Sequence, residues 1–196
     1  MEENAVSHSS SSALDDVLRR AEEYFKTHSG DTMAIGARDL QKGFQEMLLD
    51  SKVYHLDLRC CRAVIALYDT QSSHKLEFHN VKSLLVQLKS WLHAFKRFNT
   101  SSSQGHLSDK QLADSLRSIG YGEILALLGT DVETARQLRF AFSDDDDDHI
   151  SFSSFVHCLC RLERFRRKRP LYKTGEEGGS SLLLNETELL LYATAP

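Results

Sequence analysis

Single aliphatic residues follow polar loops at regular places along the chain, and each precedes a run of residues with helical periodicity. They are Ile35, Leu76, Leu107, Ile150 and Leu183, separated by 41, 31, 43 and 33 residues. A short step leaves room for one helix between two loops, whereas a long step holds two helices and a linker. We therefore expect five helix-loop-helix units, with one helix shared between units 2 and 3 and another between units 4 and 5.

Helical periodicity accounts for most of the chain between these loops. Only two prolines occur among the 196 residues, so few positions lack the backbone N–H that a helix needs. The longest periodic run begins at Phe78 and keeps its apolar residues on one side as far as Phe98, which predicts one helix of about 30 Å. The expected class is all-α, with each aliphatic residue in a short strand that pairs with its neighbour across a two-loop unit.

The sequence also predicts the extent of the domain. Residues 1–11 are polar and serine-rich, and they are expected to form a disordered tail. The helical domain then covers residues 12–196. Its five units are expected at about 13–50, 56–90, 78–120, 130–169 and 152–196.

Three helix boundaries are indicated by individual residues. Ser108 is expected to cap a helix, and Thr130 with Glu133 has the spacing of a capping box. The helix that follows Ile150 is expected to run to Arg169 and to end before Pro170, because proline cannot donate a helical hydrogen bond.

The composition excludes several classes of protein. The chain is 41% hydrophobic and 27% charged, which is typical of a soluble globular protein. A net charge of −4 does not suit a nucleic-acid partner, and none is expected. No apolar segment is long enough to span a bilayer, and the N-terminus lacks the features of a secretory signal. A cytoplasmic location is therefore expected.

Cysteine and histidine, the usual ligands of transition metals, do not occur at ligand spacing. The four cysteines form the pairs Cys60–Cys61 and Cys158–Cys160, and neither pair has the usual two-residue gap of a zinc site. We interpret them as reduced thiols in the core rather than as metal ligands. The nine histidines are scattered, and none is assigned to a metal.

Five consecutive aspartates lie in the loop before Ile150. A helix, an oxygen-rich loop and a second helix are the parts with which proteins bind calcium, whereas a solvated acidic loop without a fixed ligand is the alternative interpretation. With Ile150 as position 8 of a twelve-residue loop, the candidate ligands are Asp145, Asp147 and the backbone carbonyl of His149. A register slipped by one residue uses Asp144, Asp146 and Asp148 instead.

Five units with two shared helices resemble the penta-EF-hand domain, and the resemblance covers residues 13–196. Within that family the chain is most similar to the C-terminal domain of calpain large subunits. Three segments carry this likeness: LDLRCCRAVIALYD, FVHCLCRLERF and LNETELLLYA. The resemblance implies Ca²⁺ as the cofactor. Nothing in the chain matches the catalytic core of the calpains, which are cysteine proteases, so this chain is not expected to be an enzyme.

The loops depart from the residues that an EF-hand needs for strong calcium binding. Such a loop has oxygen ligands at positions 1, 3 and 5, a glycine at position 6 and a bidentate acid at position 12. Position 12 of the second, third and fourth loops holds Asn80, Gln111 and Ser154. The first loop resembles a shortened variant of the family, with Ser29, Thr32, Ala34 and Asp39 at the matching positions. Calcium binding is expected near the millimolar end of the EF-hand range, or not at all.

The fifth unit lacks a recognisable ligand set and carries an apolar helix. The expected interface residues are Leu183, Leu184, Leu189, Leu190, Leu191 and Tyr192. An unpaired EF-hand leaves its apolar face exposed, so we expect an EF-hand partner at this unit. That partner is a second copy or, as the resemblance implies, a calpain small subunit. In the alternative interpretation, the segment folds back onto its own core.

Seven basic residues lie between Arg161 and Lys173, with Glu163 as the single acid among them. Such a cluster would suit an acidic phospholipid or an acidic protein partner. The alternative is a solvated helix end whose positive charge complements the helix dipole.

These observations favour a non-catalytic regulatory and dimerisation module with degenerate, weakly calcium-binding EF-hands. A second hypothesis makes the chain the C-terminal part of a calcium-dependent cysteine protease whose catalytic core is not in this chain. A third makes it a calcium-sensor adaptor that exposes an apolar groove. The only tryptophan, Trp91, follows a serine rather than the cysteine expected in a papain-like site.

Overall fold

The computed structural model describes residues 19–30, 33–47, 54–99, 105–128, 130–143 and 149–173. The chain divides into two compact units, Met1–Leu88 and Lys89–Pro196. The expected tail at residues 1–11 and the loop and second helix of the fifth EF-hand lie outside the described ranges. Within those ranges, no helix is both long and apolar enough to cross a lipid bilayer.

The first unit consists of helices joined by one small antiparallel pair of strands. In chain order it contains α1 (residues 19–28), β1 (Ala34–Ile35), α2 (Ala37–Met47), α3 (Leu58–Tyr68), β2 (Leu76–Glu77) and the first half of α4 (Phe78–Phe98). Strand β1 pairs with β2, and Ile35 lies opposite Leu76. Both side chains are buried. The pairing expected for these two aliphatic residues is confirmed.

Helix α3 provides much of the core of the first unit. It begins at Leu58 because the Asp57 carboxylate accepts a hydrogen bond of 2.6 Å from the backbone N–H of Cys60. Its buried residues are Cys60, Cys61, Val64, Ile65 and Leu67. Burial, with a contribution from Asp57, raises the pKa of the Cys61 thiol to about 12. This thiol is therefore a protonated core residue, as the sequence indicated.

The second unit contains the rest of α4 and a second pair of strands. It continues with β3 (His106–Leu107), α5 (Asp109–Ser118), α6 (Gly122–Leu128), α7 (Asp131–Phe142), β4 (Ile150–Ser151) and α8 (Phe152–Lys173). Strand β3 pairs antiparallel with β4, and Leu107 lies opposite Ile150. Helix α4 is unbroken over its 21 residues, which confirms the single long helix predicted between the second and third loops.

Helix α8 is the most deeply buried helix of the second unit. Every residue from Phe152 to Cys160 is buried, including the thiol of Cys158. The ring of Phe95 lies 5.3 Å, between centroids, from the rings of both Phe152 and Phe155. Burial raises the pKa of Cys158, so this thiol also stays protonated.

One expected helix cap and one expected helix boundary need correction. Thr130 does precede α7, but its side chain makes no capping hydrogen bond, and the Glu133 carboxylate instead accepts from Arg136 at 2.8 Å. Helix α8 continues through Pro170 to Lys173. Proline removes only one backbone donor, and near the end of a helix the loss of that hydrogen bond leaves most of the last turn intact.

Two ion pairs join α5 to α7 at opposite ends. The Arg139 guanidinium donates to Asp109 at 2.6 Å, and Arg117 donates to Asp131 through Nε at 3.0 Å. Each aspartate lies at the N-terminal end of its helix and each arginine near the C-terminal end of the other, so the charges also complement both helix dipoles. These contacts hold α5, which follows the third loop, against α7, which precedes the loop before Ile150.

Candidate functional site

The described parts of the first three loops share one backbone feature of an EF-hand. In each of the first three loops, the residue two places before the paired aliphatic residue has a left-handed conformation. These residues are Met33 (φ 47°), His74 (φ 57°) and Gly105 (φ 65°). They occupy position 6, where an EF-hand uses glycine for its sharp turn. Left-handed backbone costs roughly 1–2 kcal/mol in a non-glycine residue, so other contacts must stabilise it in two of the three loops.

In the second loop those contacts come from the carboxylate of Asp69, at position 1. It accepts backbone N–H bonds from Gln71 at 3.2 Å, Ser73 at 3.0 Å and His74 at 2.7 Å. Desolvation of Asp69 acts to raise the pKa of its carboxyl group, but the hydrogen bonds together outweigh it and lower that pKa. The carboxylate that would bind an ion therefore already closes the loop.

The residues at position 12 are also engaged within the protein. The amide oxygen of Gln111 accepts from the backbone N–H of Ser108 at 2.9 Å, at the start of α5. The Ser154 hydroxyl is buried and lies 3.1 Å from the Ser151 hydroxyl. Neither side chain can supply the two carboxylate oxygens that close an EF-hand around calcium. These closing residues do not fit a strongly bound Ca²⁺ ion.

The first loop presents few free oxygens among its described residues. The Ser29 side chain is buried, and its hydroxyl donates to the Gly30 carbonyl at 3.4 Å. Ala34 lies in β1 and has only a backbone carbonyl to offer. The backbone carbonyl of Asp39 accepts from the Tyr24 hydroxyl at 2.7 Å, so this carbonyl is in use. Thr32 lies outside the described residues.

The predicted calcium ligands of the fourth loop are mostly outside the described residues. This applies to Asp144, Asp145, Asp146, Asp147 and Asp148. His149 is described, and its side chain is exposed just before β4. Among the described residues, no group of three or more His, Cys, Asp or Glu side chains is placed to hold a metal ion. The aspartate ligands remain a prediction, and their carboxylates have the chemistry that calcium prefers.

The fold brings together two histidines that the sequence did not connect. The ring centroids of His106 and His149 are 6.4 Å apart, and the rings are inclined by 59°. Both residues occupy position 7, immediately before Leu107 and Ile150. This shared position could have indicated the contact from sequence. The pairing of Leu107 with Ile150 brings the residues that precede them into the same two-stranded ladder.

The basic segment of α8 is partly neutralised within the second unit. Glu163 is buried, and its carboxylate binds Arg166 at 2.8 Å and Arg167 at 3.0 Å. The Tyr121 hydroxyl donates to the same carboxylate at 3.0 Å. Burial alone would raise the pKa of Glu163, but these hydrogen bonds together hold it below its ordinary value. Two arginines of the predicted lipid-binding or protein-binding cluster thus have an internal partner.

The predicted dimer interface at Leu183, Leu184, Leu189, Leu190, Leu191 and Tyr192 lies outside the described residues. It remains a prediction.

The sequence is similar to those of several known proteins. The chain is 30% identical to calpain-9 of Homo sapiens over 171 residues, which are 86% of this chain and 24% of calpain-9. It is 29% identical to calpain small subunit 2 of Homo sapiens over 153 residues, which are 76% of this chain and 58% of that subunit. The chain therefore spans less than two thirds of the length of these relatives. No family model matches the sequence.

A solved structure resembles the fold. It is that of a homolog of programmed cell death 6 protein from Leishmania major Friedlin, a penta-EF-hand protein. It matches with a TM-score of 0.59 at 19% identity, over 90% of this chain and 93% of that chain.

Proposed function

Because the chain has the penta-EF-hand fold and is homologous to calpain-9 and the calpain small subunits, we propose that it is a non-catalytic regulatory module that pairs with a second EF-hand chain. The Asp69 carboxylate carries this proposal, because it closes the second loop with three backbone hydrogen bonds of its own. The EF-hand fold is thus kept in a loop whose first calcium ligand is already engaged in hydrogen bonds. We place its action in the cytoplasm.

Calcium binding is the first part of the proposal. The fourth loop has carboxylates but a serine, Ser154, at position 12, so we expect one weak site that uses Asp145, Asp147 and the carbonyl of His149, or the register slipped by one residue. Calorimetric titration of the full chain with Ca²⁺ tests this expectation. A site with micromolar affinity would contradict it.

Pairing through the fifth unit is the second part. We propose that the apolar residues from Leu183 to Tyr192 bind either a second copy of this chain or a calpain small subunit. Sedimentation velocity at rising concentration, alone and with the small subunit, measures both forms of pairing. Leu190→Asp should abolish the larger species, while Val86→Asp, on an exposed position of α4, should leave it unchanged. A chain that stays monomeric in both mixtures overturns the proposal and favours folding of the segment onto its own core.

The homology to calpain-9 favours one other candidate, the C-terminal part of a cysteine protease whose catalytic core is not in this chain. The two candidates predict different masses for the endogenous protein. An antibody against α4 should detect a species of about the mass of 196 residues if the module acts alone. A much larger species that hydrolyses peptide substrates in the presence of Ca²⁺ would establish the protease.

A calcium-sensor adaptor is the remaining candidate. It requires a change in helix packing on ion binding. Trp91 is 3% exposed, so a change in packing around α4 would shift its fluorescence. We expect an unchanged emission spectrum on addition of Ca²⁺, whereas a red shift would favour the sensor.

A further inference from the structure

We propose that His106 and His149 form a binding site for a divalent transition-metal ion on the exposed side of the β3–β4 pair. The site is separate from calcium binding, because its ligands are imidazole nitrogens rather than carboxylate or carbonyl oxygens. Imidazole suits Zn²⁺, Ni²⁺ and Cu²⁺, whereas calcium and magnesium prefer oxygen ligands.

The register of the two strands places both histidines on one face. His106 lies opposite Ser151, and Leu107 lies opposite Ile150. Side chains alternate between the two faces of a ladder, so His149 shares the face of Ser151 and is the diagonal neighbour of His106. The other face holds Leu107 and Ile150, both completely buried. The two imidazoles are therefore directed away from the core.

The distance between the rings suits a shared ion. A metal ion binds an imidazole nitrogen at about 2.0–2.1 Å, and that nitrogen lies about 1.1 Å from the ring centre, so two rings on one ion have centroids up to about 6.4 Å apart. The observed separation of 6.4 Å is at this limit, which corresponds to the two nitrogens on opposite sides of the ion. Tetrahedral coordination brings the centroids to about 5 Å, a change within reach of side-chain rotation.

Solvent access makes the site available to an ion from solution. His149 is exposed and His106 is half-buried. The protein supplies two ligands, and water completes the coordination. Bound metal would connect β3 to β4 and would stabilise the folded state by an amount that grows with the logarithm of one plus its concentration over Kd.

Calorimetric titration of the full chain with Ni²⁺ tests the site. His106→Ala and His149→Ala should each weaken Ni²⁺ binding at least tenfold, and Cu²⁺ should bind the unchanged chain more tightly than Ni²⁺. His93→Ala is the matched control, because His93 is exposed on α4 and should not contribute. Circular dichroism confirms that each variant is folded. Unchanged Ni²⁺ affinity in either folded variant overturns the proposal, as does an equal loss in His93→Ala.

Nuclear magnetic resonance gives a second readout that separates this site from the calcium loops. Zn²⁺ should shift the imidazole signals of both histidines together, and His106→Ala should remove the shift at His149. The same substitution should leave any response to Ca²⁺ unchanged, since the carbonyl of His149 is retained. A Zn²⁺ response of His149 that persists without His106 contradicts the shared site.

Discussion

Leu107 and Ile150 are direct partners across the β3–β4 pair, and both side chains are completely buried. The contact joins the third loop to the fourth. In the first unit, Ile35 and Leu76 have the same relationship. The paired loops are therefore held by hydrophobic contacts that do not depend on an ion.

Truncation of this contact should destabilise the protein strongly. We expect Ile150→Ala to lower the free energy of unfolding by about 2–5 kcal/mol, because it leaves a cavity in a closely packed core. Ile150→Val should cost only about 0.5–1.5 kcal/mol. Urea denaturation followed by circular dichroism measures both values. Val132→Ala, at a side chain that is 51% exposed, is the control and should have little effect.

Much of the fold was predictable because its determinants are local or periodic. The spacing of the aliphatic residues predicted both strand pairs, and the apolar face of Phe78–Phe98 predicted α4. The Tyr121–Glu163 hydrogen bond was not predictable, because its partners are 42 residues apart and the bond depends on how α8 packs. The His106–His149 contact follows from the strand register, which the sequence predicted. The spacing of the histidines along the chain did not indicate it.

The buried carboxylate of Glu163 should make stability depend on pH. Its pKa is lowered in the folded state, so the ionised form contributes stability above the unfolded pKa, and this contribution is lost as the pH falls through the folded value. We expect Glu163→Gln to lower the free energy of unfolding by about 1–3 kcal/mol at neutral pH. The loss is no larger because both arginine partners are about half exposed, which weakens the ion pairs. The difference from wild type should shrink as the pH falls from roughly 5 toward 3.

Urea titrations at several pH values measure this difference. Glu133→Gln is the control, because Glu133 pairs with Arg136 on an exposed part of α7. It should leave stability nearly unchanged at every pH. A pH-independent cost of Glu163→Gln would show that shape rather than charge explains the role of Glu163.

The two ion pairs between α5 and α7 should differ in strength. Arg139 and Asp109 have side chains that are 11% and 26% exposed, whereas Arg117 is 49% exposed beside Asp131. We expect a double-mutant cycle on Arg139 and Asp109 to give a coupling energy of about 1–3 kcal/mol. The Arg117–Asp131 cycle should give less and should lose more of its coupling in high salt. Equal couplings with equal salt dependence would contradict the role assigned to burial.

Restoring an acid at position 12 of the fourth loop should strengthen calcium binding. Ser154→Glu supplies the missing carboxylate, and we expect the Kd for Ca²⁺ to fall at least tenfold. Ser154→Gln is the matched control, with the same size but no charge, and it should bind no better than wild type. Calorimetric titration measures all three proteins. An unchanged affinity in folded Ser154→Glu would overturn the register in which Asp145 and Asp147 bind the ion.

Two buried hydroxyls have no hydrogen-bond partner among the described residues, those of Ser115 on α5 and Thr134 on α7. Ser118, on the same helix, donates to the Ser115 carbonyl at 2.8 Å. Both substitutions replace a serine of α5, but only Ser118→Ala loses a hydrogen bond. We expect Ser115→Ala to be neutral or to raise the unfolding free energy by up to about 1 kcal/mol. Thermal denaturation should rank Ser115→Ala above Ser118→Ala, and the reverse order would contradict this assignment.

The closure of the second loop by Asp69 has a consequence for signalling. The Asp69 carboxylate already holds this loop in its turn through three backbone hydrogen bonds, so an ion that binds there has little loop ordering left to induce. We expect this loop to have the same shape in a resting and in a stimulated cell. This loop therefore gives no calcium-dependent signal, and a response to calcium would have to come from the fourth loop or from the partner.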